Sequence, residues 1–243
     1  MRIKGIVSYD GSHYQGFQDQ KKDGVKTIQK EIERLLSYIC NSPITIFASG
    51  RTDRGVHALN QVFHFDLNVD RDINHLKYAL NRMLPRDILI KSLEVVSDDF
   101  HARYSAKRKH YRYIVDRVRN PFNVNYALFY DRKIDEELLN KGMKLFLGEH
   151  DFINFCSNKE EESYIRTIYQ FTYHQENNQL IFDIIGSGFK RYMVRMIIGT
   201  VLALNNHQIE LNYIEQRLVD NLCGTTIYNA EPQGLYLMEV YYD

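Results

Sequence analysis

Asp53 is a single carboxylate between two arginines in the stretch Gly50-Arg51-Thr52-Asp53-Arg54-Gly55-Val56-His57-Ala58. Flanking cations favour the charged form of an acid, so Asp53 is expected to be ionised at neutral pH. Two glycines bracket the core of the stretch, where the backbone can take turns closed to other residues. An ionised carboxylate on such a loop can serve as a nucleophile, a base or a metal ligand. Read for structure alone, it is an Asx-turn residue that only shapes the loop.

A second constellation runs from Arg103 to Arg112. Arg103, Lys107, Arg108, Lys109 and Arg112 stand there with no acid among them, interleaved with Tyr104 and Tyr111 and followed by Tyr113. In an extended chain Lys107, Lys109, Tyr111 and Tyr113 share one face. Cations that meet phosphates, beside rings that stack on bases, make an RNA groove. The same pattern suits an ordinary sheet face whose lysines shield a strand. The third residue of interest is Arg195, within Met193-Val194-Arg195-Met196-Ile197-Ile198. A helix apolar on nearly every side buries part of any arginine it carries, and that arginine then needs an anion. Arg191, one turn earlier on the same face, is a rival.

The elements that must carry these residues follow from periodicity. Residues 2–9 read as a strand, and Asp10-Gly11-Ser12 as a turn. Residues 14–18 read as an ordered aromatic loop. Ile28, Ile32, Leu35, Leu36 and Ile39 recur at helical spacing behind a Thr27 cap. Pro43 opens a strand that delivers the Asp53 loop, and 61–67 is the next strand. Leu76, Leu80, Met83 and Leu84 mark a helix closed by Pro85, and 88–96 is a strand. In the second half, 107–116 is a strand and 135–147 a helix. Segments 166–176 and 180–187 form a hairpin across Asn177-Asn178. Helices follow at 189–204 and 211–222, with a closing strand at 234–242. Each half, 1–104 and 105–243, therefore reads as a βαββαβ unit in ferredoxin-like order. The fold class is α+β, with the two halves joining antiparallel sheets. The halves share pattern without sequence identity. The charged run at 159–162 reads as a solvated loop.

Composition narrows the class. Apolar residues make up 44% of 243, enough for a substantial core. No apolar run approaches the ~18 residues of a membrane span. The N-terminal residues 1–7 lack a signal-peptide h-region and read as the first strand of a cytosolic protein. Cys40, Cys156 and Cys223 are widely spaced, which argues against a zinc knuckle or a disulfide framework; ordinary burial is expected for all three. The nine histidines show no metal-ligand spacing. Basic and acidic residues balance at 31 each, so a basic footprint requires segregated charge.

GRTDRGVHA at 50–58 resembles the central motif of the tRNA pseudouridine synthase A family. Five more stretches agree in order: YDGSHYQGFQ at 9–18, FHARYSAKRKHYRY at 100–113, GEHDF at 148–152, GSGFKRYMVRMIIGT at 186–200 and GLYLMEV at 234–240. The resemblance implies a pseudouridine synthase fold with Asp53 as nucleophile. It implies that Tyr111 contacts the target uracil, with Tyr113 packing behind it. Arg195 is implied as the basic partner of Asp53, and Leu235 as an apolar wall of the uridine pocket. Arg51 is expected to help hold the flipped base. The implied reaction isomerises uridines 38, 39 and 40 of the tRNA anticodon arm. It needs neither cofactor nor metal. The implied enzyme is a cytoplasmic homodimer with no membrane association. Departures are small: the run Ala230-Glu231-Pro232-Gln233-Gly234 and the wording Lys190-Arg191-Tyr192 differ from the commoner pattern. Two other classes compete. One is a metal-dependent nuclease using Asp10 and Asp53 as ligands. The other is an RNA-binding module without catalysis.

Overall fold

β1 (Arg2–Tyr9) alternates half-buried and buried residues along its length, the period-2 signature of a strand with one face inward. The computed structural model describes residues 1–20, 24–68, 71–157 and 163–243, so the charged run at 159–162 lies outside the described residues. The chain divides into two compact units, residues 1–107 with 236–243, and residues 108–235.

In the first unit, α1 (Ile28–Cys40) buries Ile28, Ile32, Leu35 and Leu36 on one stripe. Thr27 caps it, its Oγ1 accepting from the Lys30 N–H at 3.3 Å. β2 (Phe47–Ala48), β3 (His57–Asp66), α2 (Ile73–Met83) and β4 (Ile88–Val96) follow. β1 lies between β4 and β3, and β2 pairs with β3; all three pairings are antiparallel. That is the sheet order of a ferredoxin-like split βαβ. The strand expected from Pro43 shrinks to two residues. Ile44 and Ile46 are still buried, but side chains of α1 take their backbone groups: the Ile44 N–H donates to Ser37 Oγ and the Ile46 N–H to Glu33 Oε1, both at 2.9 Å. Met83 also departs from expectation. It is 44% exposed, and Leu84 alone turns inward at that helix end.

In the second unit, β5 (Arg108–Asp116), β6 (Leu128–Phe129), α3 (Glu136–Leu145), β7 (Gly148–Asp151), β8 (Ile165–Glu176) and β9 (Gln179–Gly186) precede α4 (Met193–Asn205) and α5 (Leu211–Val219). β9 lies between β5 and β8, antiparallel to both, and β7 extends the sheet beyond β8. The hairpin turns at Asn177, with φ 51°. β7 is an addition to the expected order; its Gly-Glu-His-Asp sequence carries no period. α4 begins at Met193 rather than at 189, because Tyr192 sits in the left-handed region at φ 65° and cannot extend the helix backwards. α5 stops at Val219, where Asp220 turns extended, and Leu222 is 93% exposed. β10 (Leu235–Tyr241) closes the chain, and within the first unit it pairs parallel with β3 at Tyr236–His57 and Leu237–Ala58. The α+β reading holds in both units. Cys40 and Cys156 are buried as expected, while Cys223 is only half-buried.

Candidate active site

The loop that carries Asp53 is built from close backbone approaches. A Cβ on Gly11 would sit 2.0 Å from the Val56 carbonyl oxygen, and one on Gly16 would sit 2.6 Å from the Thr52 carbonyl oxygen. The first loop of the chain, 10–18, therefore clasps the Asp53 loop at two points that tolerate no side chain. Phe17 N–H donates to the Thr52 carbonyl at 3.1 Å, and the Val56 N–H closes the turn onto the Asp53 carbonyl at 3.1 Å. The 10–18 loop is itself fixed to α1, whose first N–H groups donate to the carbonyls of Gly16 and Phe17. Of the two bracketing glycines, Gly55 has the positive φ, 77°. Asp53 is half-buried, while Arg51 and Arg54 on either side are exposed.

Beneath this loop lie polar groups that are almost wholly buried. Tyr9 Oη and Thr52 Oγ1 are 2.8 Å apart. Gln61, fully buried, donates through Nε2 to the Gly50 carbonyl at 2.9 Å and accepts from Ser49 Oγ at 2.6 Å. His57 is also buried. Its ring stacks on Tyr236 with centroids 4.7 Å apart, and its Nδ1 accepts from the Gly11 N–H at 3.1 Å. The Asp10 carboxylate accepts from the Ser12 N–H and hydroxyl, and its Oδ1 lies 3.2 Å from His57 Nδ1.

A substitution at Gly16 tests this clasp. Its φ is +101°, so alanine there meets both backbone strain and the Thr52 carbonyl. Gly16→Ala is expected to lower stability by at least about 2 kcal/mol in denaturant unfolding. A change below about 0.5 kcal/mol would show that the loop is not held by this contact.

The second unit gathers other candidate residues around the segment 228–235. Gly199 on α4 lets that segment lie against the helix, since a Cβ there would meet the backbone of Tyr228, Asn229 and Ala230 at 2.8–2.9 Å. One turn earlier, Arg195 Nε donates to the Ala230 carbonyl at 2.7 Å, and its guanidinium lies 5.0 Å from the Tyr192 ring centre. Tyr113 is buried, and its hydroxyl donates to the Glu231 carbonyl at 2.6 Å. Burial pushes its phenol well above the usual range, although nearby Arg195 pulls the other way. Tyr111 points to the same face of β5, 8% exposed, with its ring edge-on to Phe189 at 5.2 Å. Leu235 is buried at the start of β10.

The basic run divides. Arg103, Lys107 and Arg108 are exposed. Arg112 and His110 lie on the strand face opposite Tyr111, where both reach Asp183, at 2.9 and 2.6 Å. Burial would raise the Asp183 carboxyl, but hydrogen bonds from His110 and Arg112 outweigh it and hold the group below its ordinary range. Arg112 is thus an ion-pair partner within the sheet. Sequence reasoning missed Asp183, Tyr9, Thr52 and Gln61. All are polar residues at buried strand or loop positions, and on β3 Gln61 is one of five polar residues, so its type alone did not mark it out.

A family model described as tRNA pseudouridine synthase matches residues 6–105 and 143–243. A tRNA pseudouridine synthase A from Exiguobacterium sp. is 42% identical over 243 residues, covering 100% of this chain and 98% of that protein. Proteins of the same name from Geobacillus sp. and Streptococcus mutans are 41% and 40% identical over the whole of this chain and cover 98% and 99% of those proteins. A chain from a crystal structure of a Cbf5-Nop10-Gar1 complex superposes with a TM-score of 0.43 at 12% identity; the match covers 97% of this chain and 48% of that one.

Proposed function

Since the chain belongs to the tRNA pseudouridine synthase family, an isomerase family that converts uridine to pseudouridine in tRNA, we propose that Asp53 is its nucleophile and that it acts on uridines 38, 39 and 40 of the anticodon arm. The observation that supports this best is the half-buried carboxylate on a loop clasped from below by Gly11 and Gly16. In the reaction the bond between N1 and C1′ breaks, the uracil turns, and C5 bonds to C1′. C5 loses its proton and N1 gains one, so nothing is added or removed overall. Attack at C1′, addition at C6 of the base and a glycal route through loss of the C2′ proton each need one ionised carboxylate at the target nucleotide. The target base must leave the stack first, at a cost of a few kcal/mol. Tyr111 supplies a ring for that base, Leu235 an apolar wall, and Arg51 an exposed cation beside the loop. Arg195 is the proposed cation for Asp53. It keeps the carboxylate ionised once RNA displaces water, when desolvation would otherwise favour the neutral acid.

No helix among the described residues is long and apolar enough to cross a membrane. The proposed setting is the cytoplasm, and the proposed assembly a homodimer that binds tRNA across both subunits.

The test is tritium release from tRNA labelled at C5 of uridine, since isomerisation expels that hydrogen. Purified protein should release it without added metal, and in the presence of a chelator. Strand cleavage that a chelator stops would instead favour the nuclease, and binding without release an inert RNA-binding module. The proposal also predicts steep salt dependence of tRNA binding despite zero net charge. Each phosphate neutralised by a cation such as Arg103, Lys107 or Arg108 should add about −0.7 to −0.9 to the log-log slope. A flat profile would mean that this face does not meet RNA.

A further inference from the structure

We infer that Tyr9 is a positioning residue for the nucleophile, acting through Thr52: the hydrogen bond between their hydroxyls sets the direction in which Asp53 leaves the loop. The inference rests on the role proposed above for Asp53, and on contacts that lie wholly within the first unit.

Thr52 is held at two atoms. Its carbonyl accepts from the Phe17 N–H at 3.1 Å, which fixes the peptide plane that leads into Asp53. Its Oγ1 meets Tyr9 Oη at 2.8 Å, which fixes the side chain on the opposite side of the same residue. With both ends tied, the bond from Asp53 Cα to its carboxylate inherits a set orientation. Tyr9 and Thr52 are 4% and 6% exposed, so neither hydroxyl can exchange its partner for water. Burial pushes the Tyr9 phenol far above its ordinary range, although hydrogen bonds from Thr52 and Gln61 oppose the shift. The phenol therefore keeps its proton, and the bond joins two neutral hydroxyls, either of which can donate.

The surroundings show that this is more than one bond. Ser49 and Gln61, both fully buried, tie the other shoulder of the loop through the Gly50 carbonyl. Four polar side chains thus occupy a position under the loop that apolar groups fill at lower desolvation cost. A satisfied buried network fixes geometry more tightly than an apolar contact does, because each group has few alternative partners. Tyr9 also has an apolar role, with its ring 5.9 Å from Phe17. Phenylalanine preserves that contact and removes only the hydroxyl.

The test measures single-turnover tritium release at saturating enzyme, together with tRNA affinity and melting temperature. Tyr9→Phe is expected to slow release by about 10- to 100-fold, the scale of a misplacement near 1 Å, while tRNA affinity stays within about twofold. Thr52→Val should slow release in the same direction but by no more, because it deletes that bond from the other side while Tyr9→Phe also loses its hydrogen bond with Gln61. Thr52→Ser keeps the hydroxyl and should restore most of the rate. The double variant Tyr9→Phe/Thr52→Val should be no slower than the worse single variant, as expected for two ends of one interaction. Wild-type rates in Tyr9→Phe, a loss confined to tRNA affinity, or full additivity in the double variant would each overturn the inference. If Tyr9→Phe does not fold, the comparison of Thr52→Val with Thr52→Ser decides alone. Wild-type protein that releases no tritium contradicts the reading of Asp53 itself; active wild type with an unaffected Tyr9→Phe contradicts only the role of Tyr9.

Discussion

Asp53→Asn is expected to abolish isomerisation, with a fall of at least about 10³-fold in single-turnover rate, as when an enzyme loses its nucleophile, while tRNA affinity changes by less than about threefold. Asparagine keeps the shape of the side chain but cannot be ionised. The contacts that hold the loop include the Asp53 and Thr52 carbonyls with their N–H partners and the bond between the Tyr9 and Thr52 hydroxyls. These survive the substitution. Folding should therefore be preserved, and the loss should fall on chemistry alone. Measurement of rate, affinity and melting temperature on one preparation separates the possibilities. Turnover near wild type would remove Asp53 from the nucleophile role whatever the sequence motif implies. Lost activity with a collapsed melting temperature would mean that the carboxylate holds the loop rather than acting on the substrate.

Arg195→Met should produce the second-largest effect, and on two scales at once. The guanidinium donates to the Ala230 carbonyl at 2.7 Å and lies against the Tyr192 ring. Methionine fills much of the volume but leaves that carbonyl without its charged donor, a loss of about 1.5–3 kcal/mol in stability. The proposed role beside Asp53 adds a fall in turnover of about 10²-fold or more, comparable with removal of a single electrostatic stabiliser. Arg195→Lys should recover part of both, since the charge returns without the planar fork. A variant that melts earlier yet turns over normally would confine Arg195 to anchoring the segment at 230 and would refute its pairing with Asp53.

Local pattern carried much of the fold. β1 and β4 match the expected strands residue for residue because burial alternates or clusters within them. Thr27 announced α1 by its type and position, and it does cap the helix. The failures share a cause. Ile44 and Ile46 have strand-like composition, but Ser37 and Glu33 on α1 supply their hydrogen bonds, which no window around residue 45 reveals. The start of α4 was misplaced because Tyr192 adopts a left-handed backbone that its residue type does not advertise. The candidate site divides in the same way. Asp53 stood out by charge and glycine spacing, and Arg195 by its apolar surroundings. The bond between Tyr9 and Thr52 spans 43 positions, and the one between Arg112 and Asp183 spans 71. Partners that far apart become visible only once the strands are paired.

The most direct measurement is site-resolved mapping of pseudouridine in an unmodified tRNA transcript after incubation with the purified protein. The tRNA should carry uridine at 38, 39 and 40, together with uridines elsewhere. Pseudouridine is predicted at those three positions and nowhere else, formed by wild type and absent with Asp53→Asn. No pseudouridine at any position, or the same pattern from Asp53→Asn as from wild type, would contradict the account.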